Sequence, residues 1–130
     1  MKFHTKKTAY FEARIYIGSR VKYDGPQFSF AELREAIGYF QANNGIESNP
    51  VRITPTTFVW EKYDEEGWEI ALIDYPRVSK PHEVLRKFAY NLAVHLLERF
   101  EQNRMSIVFP DEIVMLEADD AEENKYKSNE

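Results

Sequence analysis

The sequence predicts an α+β domain in which two helices cover one face of an antiparallel sheet. Three observations predict it. Apolar and polar residues alternate near the N-terminus and again from Val51 to Tyr75, the period-two pattern of half-buried strands. Two amphipathic segments with helical spacing flank that central stretch. The resulting order is strand, helix, hairpin, helix, strand.

The first strand is expected over Ala9 to Tyr23. Phe11, Ala13, Ile15 and Ile17 alternate there with Tyr10, Glu12, Arg14 and Tyr16. Gly18 marks a bulge or a close approach by another backbone, and Asp24-Gly25-Pro26 supplies turn chemistry. Ser29 and Glu32 have capping-box spacing, so the first helix starts there and presents Phe30, Leu33, Ile37 and Phe40 as its apolar stripe. Asn44-Gly45 reads as its left-handed stop.

The central hairpin runs Val51–Trp60 and Trp68–Tyr75 around an acidic turn, Glu61 to Gly67. Pro55 lacks an amide donor, which puts its strand at an edge or starts it only later. Trp60 and Trp68 read as opposed across this hairpin, a packing pair. For the second helix, Ser79 is the expected cap and Pro81 falls in the first turn. Val84, Leu85, Phe88, Ala89, Leu92, Leu96 and Phe100 form a stripe wide enough to cover a sheet. The chain returns as a strand from Arg104 to Phe109, turns at Pro110-Asp111, and ends in a short strand from Ile113 to Leu116.

Right-handed crossovers place both helices on the same face. The layout is therefore ferredoxin-like, β-α-β-β-α-β with room for an extra C-terminal strand. Three segments are expected: a flexible N-terminus at 1–7, one α+β domain at 8–117 and an acidic disordered tail at 118–130. On the open sheet face, Tyr, Phe, Trp and Thr are as frequent as charged residues, which predicts a homo-oligomer.

Composition excludes several classes of function. The chain has no cysteine, so disulfides, thiolate metal sites and thiol nucleophiles are absent, in keeping with a cytoplasmic location. The basic N-terminus lacks the apolar stretch of a secretory signal, and no run reaches the ~20 apolar residues of a membrane span. A net charge of −5 argues against nucleic-acid binding, although the six acidic residues from Glu117 onward carry most of it.

No catalytic constellation is legible. His4, His82 and His95 are scattered, and the helical pair His95 and Glu98 offers only two metal ligands. Asp64-Glu65-Glu66 and Asp111-Glu112 read as solvated turn carboxylates. No glycine-rich phosphate loop occurs. Neither a metal nor a cofactor is expected, and neither is an enzyme. An acid–base role for Tyr75 or His95 would lack a convergent partner. Arg52, Arg77 and Arg104 are the more suggestive residues, because they stand at element ends where arginines can bind phosphate, near the aromatics Phe58 and Tyr75. Arg52 and Phe58 are expected at the hairpin end nearest Arg104.

In size, in its two-helix antiparallel layout, and in pairing hairpin Arg52 with the Arg-x-Ser step Arg104 and Ser106, the chain resembles small phage Thoeris anti-defence sponge proteins. The resemblance implies a non-catalytic oligomer that sequesters a cyclic ADP-ribose-type or cyclic-nucleotide signal in the host cytoplasm. It implies phosphate contacts from Arg52 and Arg104 and adenine stacking on Phe58 or another hairpin aromatic. The expected ligand-binding set is Arg52, Phe58, Tyr75, Arg77, Arg104 and Ser106. The alternative reading is a protein–protein interaction module that docks through the aromatic sheet face.

Overall fold

β1 (Glu12–Gly18) lies at the centre of a five-stranded sheet whose order is β2-β3-β1-β4-β5. The computed structural model of the chain describes residues 1–123. The other elements are α1 (Phe30–Ala42), β2 (Arg52–Trp60), β3 (Tyr63–Ile73), α2 (His82–Arg99), β4 (Arg104–Val108) and β5 (Ile113–Glu117). All strand pairs are antiparallel. This is the expected ferredoxin-like order, with β5 added beside β4.

The alternation in β1 sorts its side chains by face. Ala13, Ile15 and Ile17 are buried under the helices, whereas Glu12, Arg14 and Tyr16 are half-buried on the open face. Leu33 and Ile37 of α1 and Leu85, Phe88, Leu92 and Leu96 of α2 pack onto Ile70, Leu72 and Ile107. A large-to-small change among these residues would cost roughly 2–5 kcal/mol. The capping box forms: Ser29 Oγ accepts from the Glu32 amide at 3.2 Å, and the Ser29 amide donates to Glu32 Oε1 at 3.2 Å. Phe30, expected on the apolar stripe, is 50% exposed because it occupies the first helical position, outside the face that packs.

Several local expectations need correction. The hairpin turn is Glu61–Lys62, since Trp60 pairs with Tyr63; Glu61 adopts φ 55 to make the tight reversal. Tyr63 to Gly67 are therefore strand, continuing the alternation that the acidic composition masked. Trp60 consequently faces Tyr63 and Trp68 faces Pro55, so the two tryptophans are not cross-strand partners. β2 is the edge strand that Pro55 requires. Ser79 does not cap α2; its hydroxyl donates to buried Asp74 at 3.0 Å, and Asp74 also accepts from the Lys80 amide at 3.2 Å.

Met1 to Tyr10 have no regular secondary structure. Residues 118–123 follow β5 and bond to the start of β4, whereas 124–130, assigned above to the acidic tail, lie outside the described residues. No helix among the described residues is long and apolar enough to cross a membrane.

Candidate functional site

Two glycines shape the open sheet face. Gly18 at the end of β1 pairs with Gly67 of β3, so neighbouring strands both lack a Cβ at the same level. A Cβ on Gly18 would collide with the carboxylate of Glu65, and one on Gly67 would meet Phe58 Cε2 at 2.7 Å. The pair therefore leaves a depression into which Glu65 and Phe58 settle. This is the close-approach role of glycine in a strand.

Beside that depression opens a cavity of about 340 Å³, at the lower end of the roughly 300–1,000 Å³ of small-molecule sites. Tyr16, Tyr23, Phe58, Trp60 and Tyr63 give it aromatic walls, and Lys22, Glu65, Asn103, Arg104 and Ser106 add polar groups. The Tyr16 and Phe58 rings meet edge to face with centroids 6.2 Å apart.

The polar groups are held in place. Tyr63 donates its hydroxyl to Glu65 Oε1 at 2.6 Å, and the Arg20 amide donates to Oε2 at 3.3 Å. Tyr16 donates to Glu69 Oε1 at 2.8 Å; burial first, and then this carboxylate, raise the Tyr16 pKa above the ordinary phenol value. Arg104 donates from Nε to Glu117 at 2.6 Å and from Nη1 to the Tyr23 hydroxyl at 2.5 Å and the Glu122 carbonyl at 2.6 Å. Its pKa is raised, chiefly by the Glu117 hydrogen bond. Asn103 is buried; its Oδ1 accepts from the Glu122 amide at 2.9 Å, while its Nδ2 has no hydrogen-bond partner among the described residues. An unsatisfied buried donor costs about 1–3 kcal/mol.

Backbone strain collects at the same end of the molecule. The described non-glycine residues with positive φ are Lys22 (55), Glu61 (55) and Glu101 (47). Lys22 lines the cavity and its amide donates to the Glu101 carbonyl at 2.9 Å; Glu61 follows the cavity residue Trp60. Such left-handed residues cost about 1–3 kcal/mol each and tend to cluster at functional sites.

Of the six residues expected to bind ligand, the structure brings Phe58, Arg104 and Ser106 to this cavity. Arg52 is not beside them. It sits at the other end of β2, roughly 20 Å away at about 3.4 Å per residue, and donates to Glu12 Oε2 at 2.5 Å. Tyr75 and Arg77 lie in and beside the short turn of helix at Pro76–Val78, also outside the lining. Tyr16, Tyr23, Tyr63, Glu65 and Asn103 escaped sequence reasoning. Gly18 carries the available signal, but the acidic composition around its partner Gly67 reads as a turn.

The histidines do not converge. His82 leans on Phe11 and stands 3.7 Å from Asp74, and His95 lies between the rings of Tyr39 and Phe40. No group of three potential metal ligands occurs among the described residues.

No protein-family model and no curated protein matches the sequence. Two solved structures match the fold. One is a phage SAM lyase in complex with S-methyl-5′-thioadenosine, with a TM-score of 0.73 and 17% identity over 94% of this chain and 100% of that one. The other is a phage SAM lyase in the apo state, with a TM-score of 0.66 and 18% identity over 86% and 92%. The likeness to phage proteins stands, though the neighbours are not Thoeris sponges. These neighbours also overturn the expectation of a non-catalytic sponge or interaction module, and with it the expectation that the chain is not an enzyme. The shared fold is one that carries a lyase.

Proposed function

We propose that this chain is a lyase for S-adenosylmethionine. It would cleave the bond between the sulfonium and the amino-acid chain and release S-methyl-5′-thioadenosine. The observation that carries this reading is the Glu65 carboxylate, held against Gly18 inside an aromatic-walled cavity, in a fold shared with phage SAM lyases. Aromatic faces attract an onium cation, by about 0.5–2 kcal/mol each, and stack on adenine.

The chemistry distributes these roles. When the bond to sulfur breaks, its electron pair goes to sulfur and the positive charge there disappears. With no water added, the substrate's own carboxylate oxygen attacks the carbon that bears sulfur. A C–O bond forms as the C–S bond breaks, a lactone leaves beside the neutral thioether, no proton is transferred, and no nucleophile from the protein is required. A carboxylate against the sulfonium would stabilise the ground state more than the transition state. Glu65 therefore serves better on the substrate ammonium, whose charge persists, with the sulfonium against neutral rings. Phe58 and Ser106 contact the nucleoside in this reading, and the free Asn103 Nδ2 donates to it.

The proposal extends to setting. Consumption of a methyl donor in the host cytoplasm would give the phage anti-defence resemblance its content. A homo-oligomer is supported by the exposed apolar residues Val59 on edge strand β2 and Ile113 and Met115 on edge strand β5.

Incubation with S-adenosylmethionine, followed by chromatography, tests the activity. The expected result is S-methyl-5′-thioadenosine formation by the wild type and at least about a hundredfold slower formation by Glu65→Gln, as for removal of a charged contact. No product above the uncatalysed background would refute the reading.

A further inference from the structure

The cavity carries two basic side chains, Lys22 and Arg104, against one acidic one, Glu65. Taken alone, these sum to +1, which would favour a phosphate. Both cations are nevertheless paired with carboxylates at the end of β5 and in the chain that follows it. Arg104 pairs with Glu117 at 2.6 Å, its cross-strand neighbour, and with Glu123 at 3.5 Å, while Lys22 pairs with Asp120 at 3.4 Å. With these three carboxylates included, the group of six charges sums to −2. The adjoining hollow adds nothing to the balance, since Arg20 and Lys62 there offset Asp24 and Asp64.

The segment is seated on the cavity wall itself. The Ala118 amide donates to the Asn103 carbonyl at 2.9 Å and the Glu122 amide to Asn103 Oδ1 at 2.9 Å, so the residue holding the segment is the one with the unpartnered buried Nδ2. Glu65, by contrast, accepts from the Tyr63 hydroxyl and a backbone amide, which leave its charge uncancelled.

We propose that Glu117, Asp120 and Glu123 are specificity-determining residues: they cancel Lys22 and Arg104, so that the cavity admits a cationic adenosine derivative and rejects adenosine phosphates. This deepens the lyase reading and rests on it for the identity of the substrate. The charge selection itself is a property of the cavity and can be measured without turnover. The Asp120 and Glu123 side chains are more than 80% exposed, so their Coulomb effect on the cavity is partial and weakens with added salt, which sets the low ionic strength of the test.

The test uses the full chain and three adenosine probes that differ at the 5′ position: neutral S-methyl-5′-thioadenosine, cationic 5′-amino-5′-deoxyadenosine and dianionic AMP. Calorimetric titration at low salt gives the affinity of each for wild type and for Glu117→Gln/Asp120→Asn/Glu123→Gln. The wild type should favour the cation over AMP, and in the triple variant that ratio should fall about tenfold or more. Adding Lys22→Gln/Arg104→Gln to the triple variant should restore the preference, which a merely structural role would not produce. If the triple variant no longer binds the neutral probe, Lys22→Gln/Arg104→Gln in the otherwise wild-type chain decides the matter. It should sharpen discrimination against AMP, and unchanged discrimination overturns the proposal.

An unchanged ratio in a triple variant that binds the neutral probe overturns it too, as does a lost ratio that the added substitutions fail to restore. Cleavage of S-adenosylmethionine by the wild type is followed in parallel. Turnover with an immovable ratio defeats charge selection and leaves the lyase reading; a movable ratio without turnover does the reverse.

Discussion

Glu12 is the most heavily engaged carboxylate on the open sheet face. It accepts from Arg52 Nη2 at 2.5 Å, from Arg14 at 2.8 and 3.1 Å and from the Tyr10 hydroxyl at 3.2 Å. Hydrogen bonds from Arg52 and then Arg14 pull its pKa from 4.5 to about 2. Because the folded pKa lies below the unfolded one, the associated stability is present above about pH 4.5 and is lost as pH falls towards 2. Both arginine side chains are more than 40% exposed, so solvent screening limits the contribution to roughly 1–2 kcal/mol. Glu12→Gln should lower stability by about that amount at pH 7 in urea denaturation, and the gap from wild type should close near pH 2. A gap of equal size at both pH values would show that the loss is one of packing. Arg52, expected at the ligand, is thereby tied to this ion-pair network.

At the scale of elements, the pairing of β1 with β3 sets the site, and its two glycines predict opposite phenotypes. In Gly67→Ala the new methyl meets the Ile17 carbonyl, fixed backbone, as well as the Phe58 ring. The sheet must shift, at a cost of about 1–3 kcal/mol. In Gly18→Ala the obstacle is the end of the flexible Glu65 side chain, which can swing aside. Melting temperature should therefore fall clearly for Gly67→Ala and little for Gly18→Ala, whereas Gly18→Ala should lose most of the proposed lyase activity through the displaced carboxylate. Equal losses of stability in both variants would contradict this assignment. The same pair marks how far the sequence was legible. The capping box at Ser29, the α2 stripe and the β1 alternation are local patterns, and each reappears in the structure. The Glu61–Lys62 turn uses neither Gly nor Asn, so its left-handed φ leaves no trace in composition, and the expected opposition of Trp60 and Trp68 gives way to Trp60 with Tyr63 and Trp68 with Pro55. A site made by bringing Gly18 against Gly67 is a non-local fact that no motif announces.

At the scale of the whole molecule, one end of the fold concentrates the non-glycine left-handed residues, the orphan Asn103 donor and the cavity, while the helices cover the other sheet face. That end holds features that cost stability in the free protein and that a ligand can offset. The separation of roles proposed for the cavity side chains makes the consequence specific. S-methyl-5′-thioadenosine carries the adenine and the thioether but neither the ammonium nor the sulfonium charge. It should therefore use the rings and Asn103 without needing Glu65. At a concentration of 100 times its Kd it should add about 2.7 kcal/mol to stability, a rise in Tm of roughly 8 °C or more for a domain of this size. Glu65→Gln should keep that rise while losing turnover of S-adenosylmethionine, and Phe58→Ala should lose most of it. Thermal denaturation of the three proteins with and without the nucleoside reads this directly. If Glu65→Gln abolishes the stabilisation by the neutral nucleoside, the carboxylate contacts the adenosine portion, and its assignment to the ammonium is wrong.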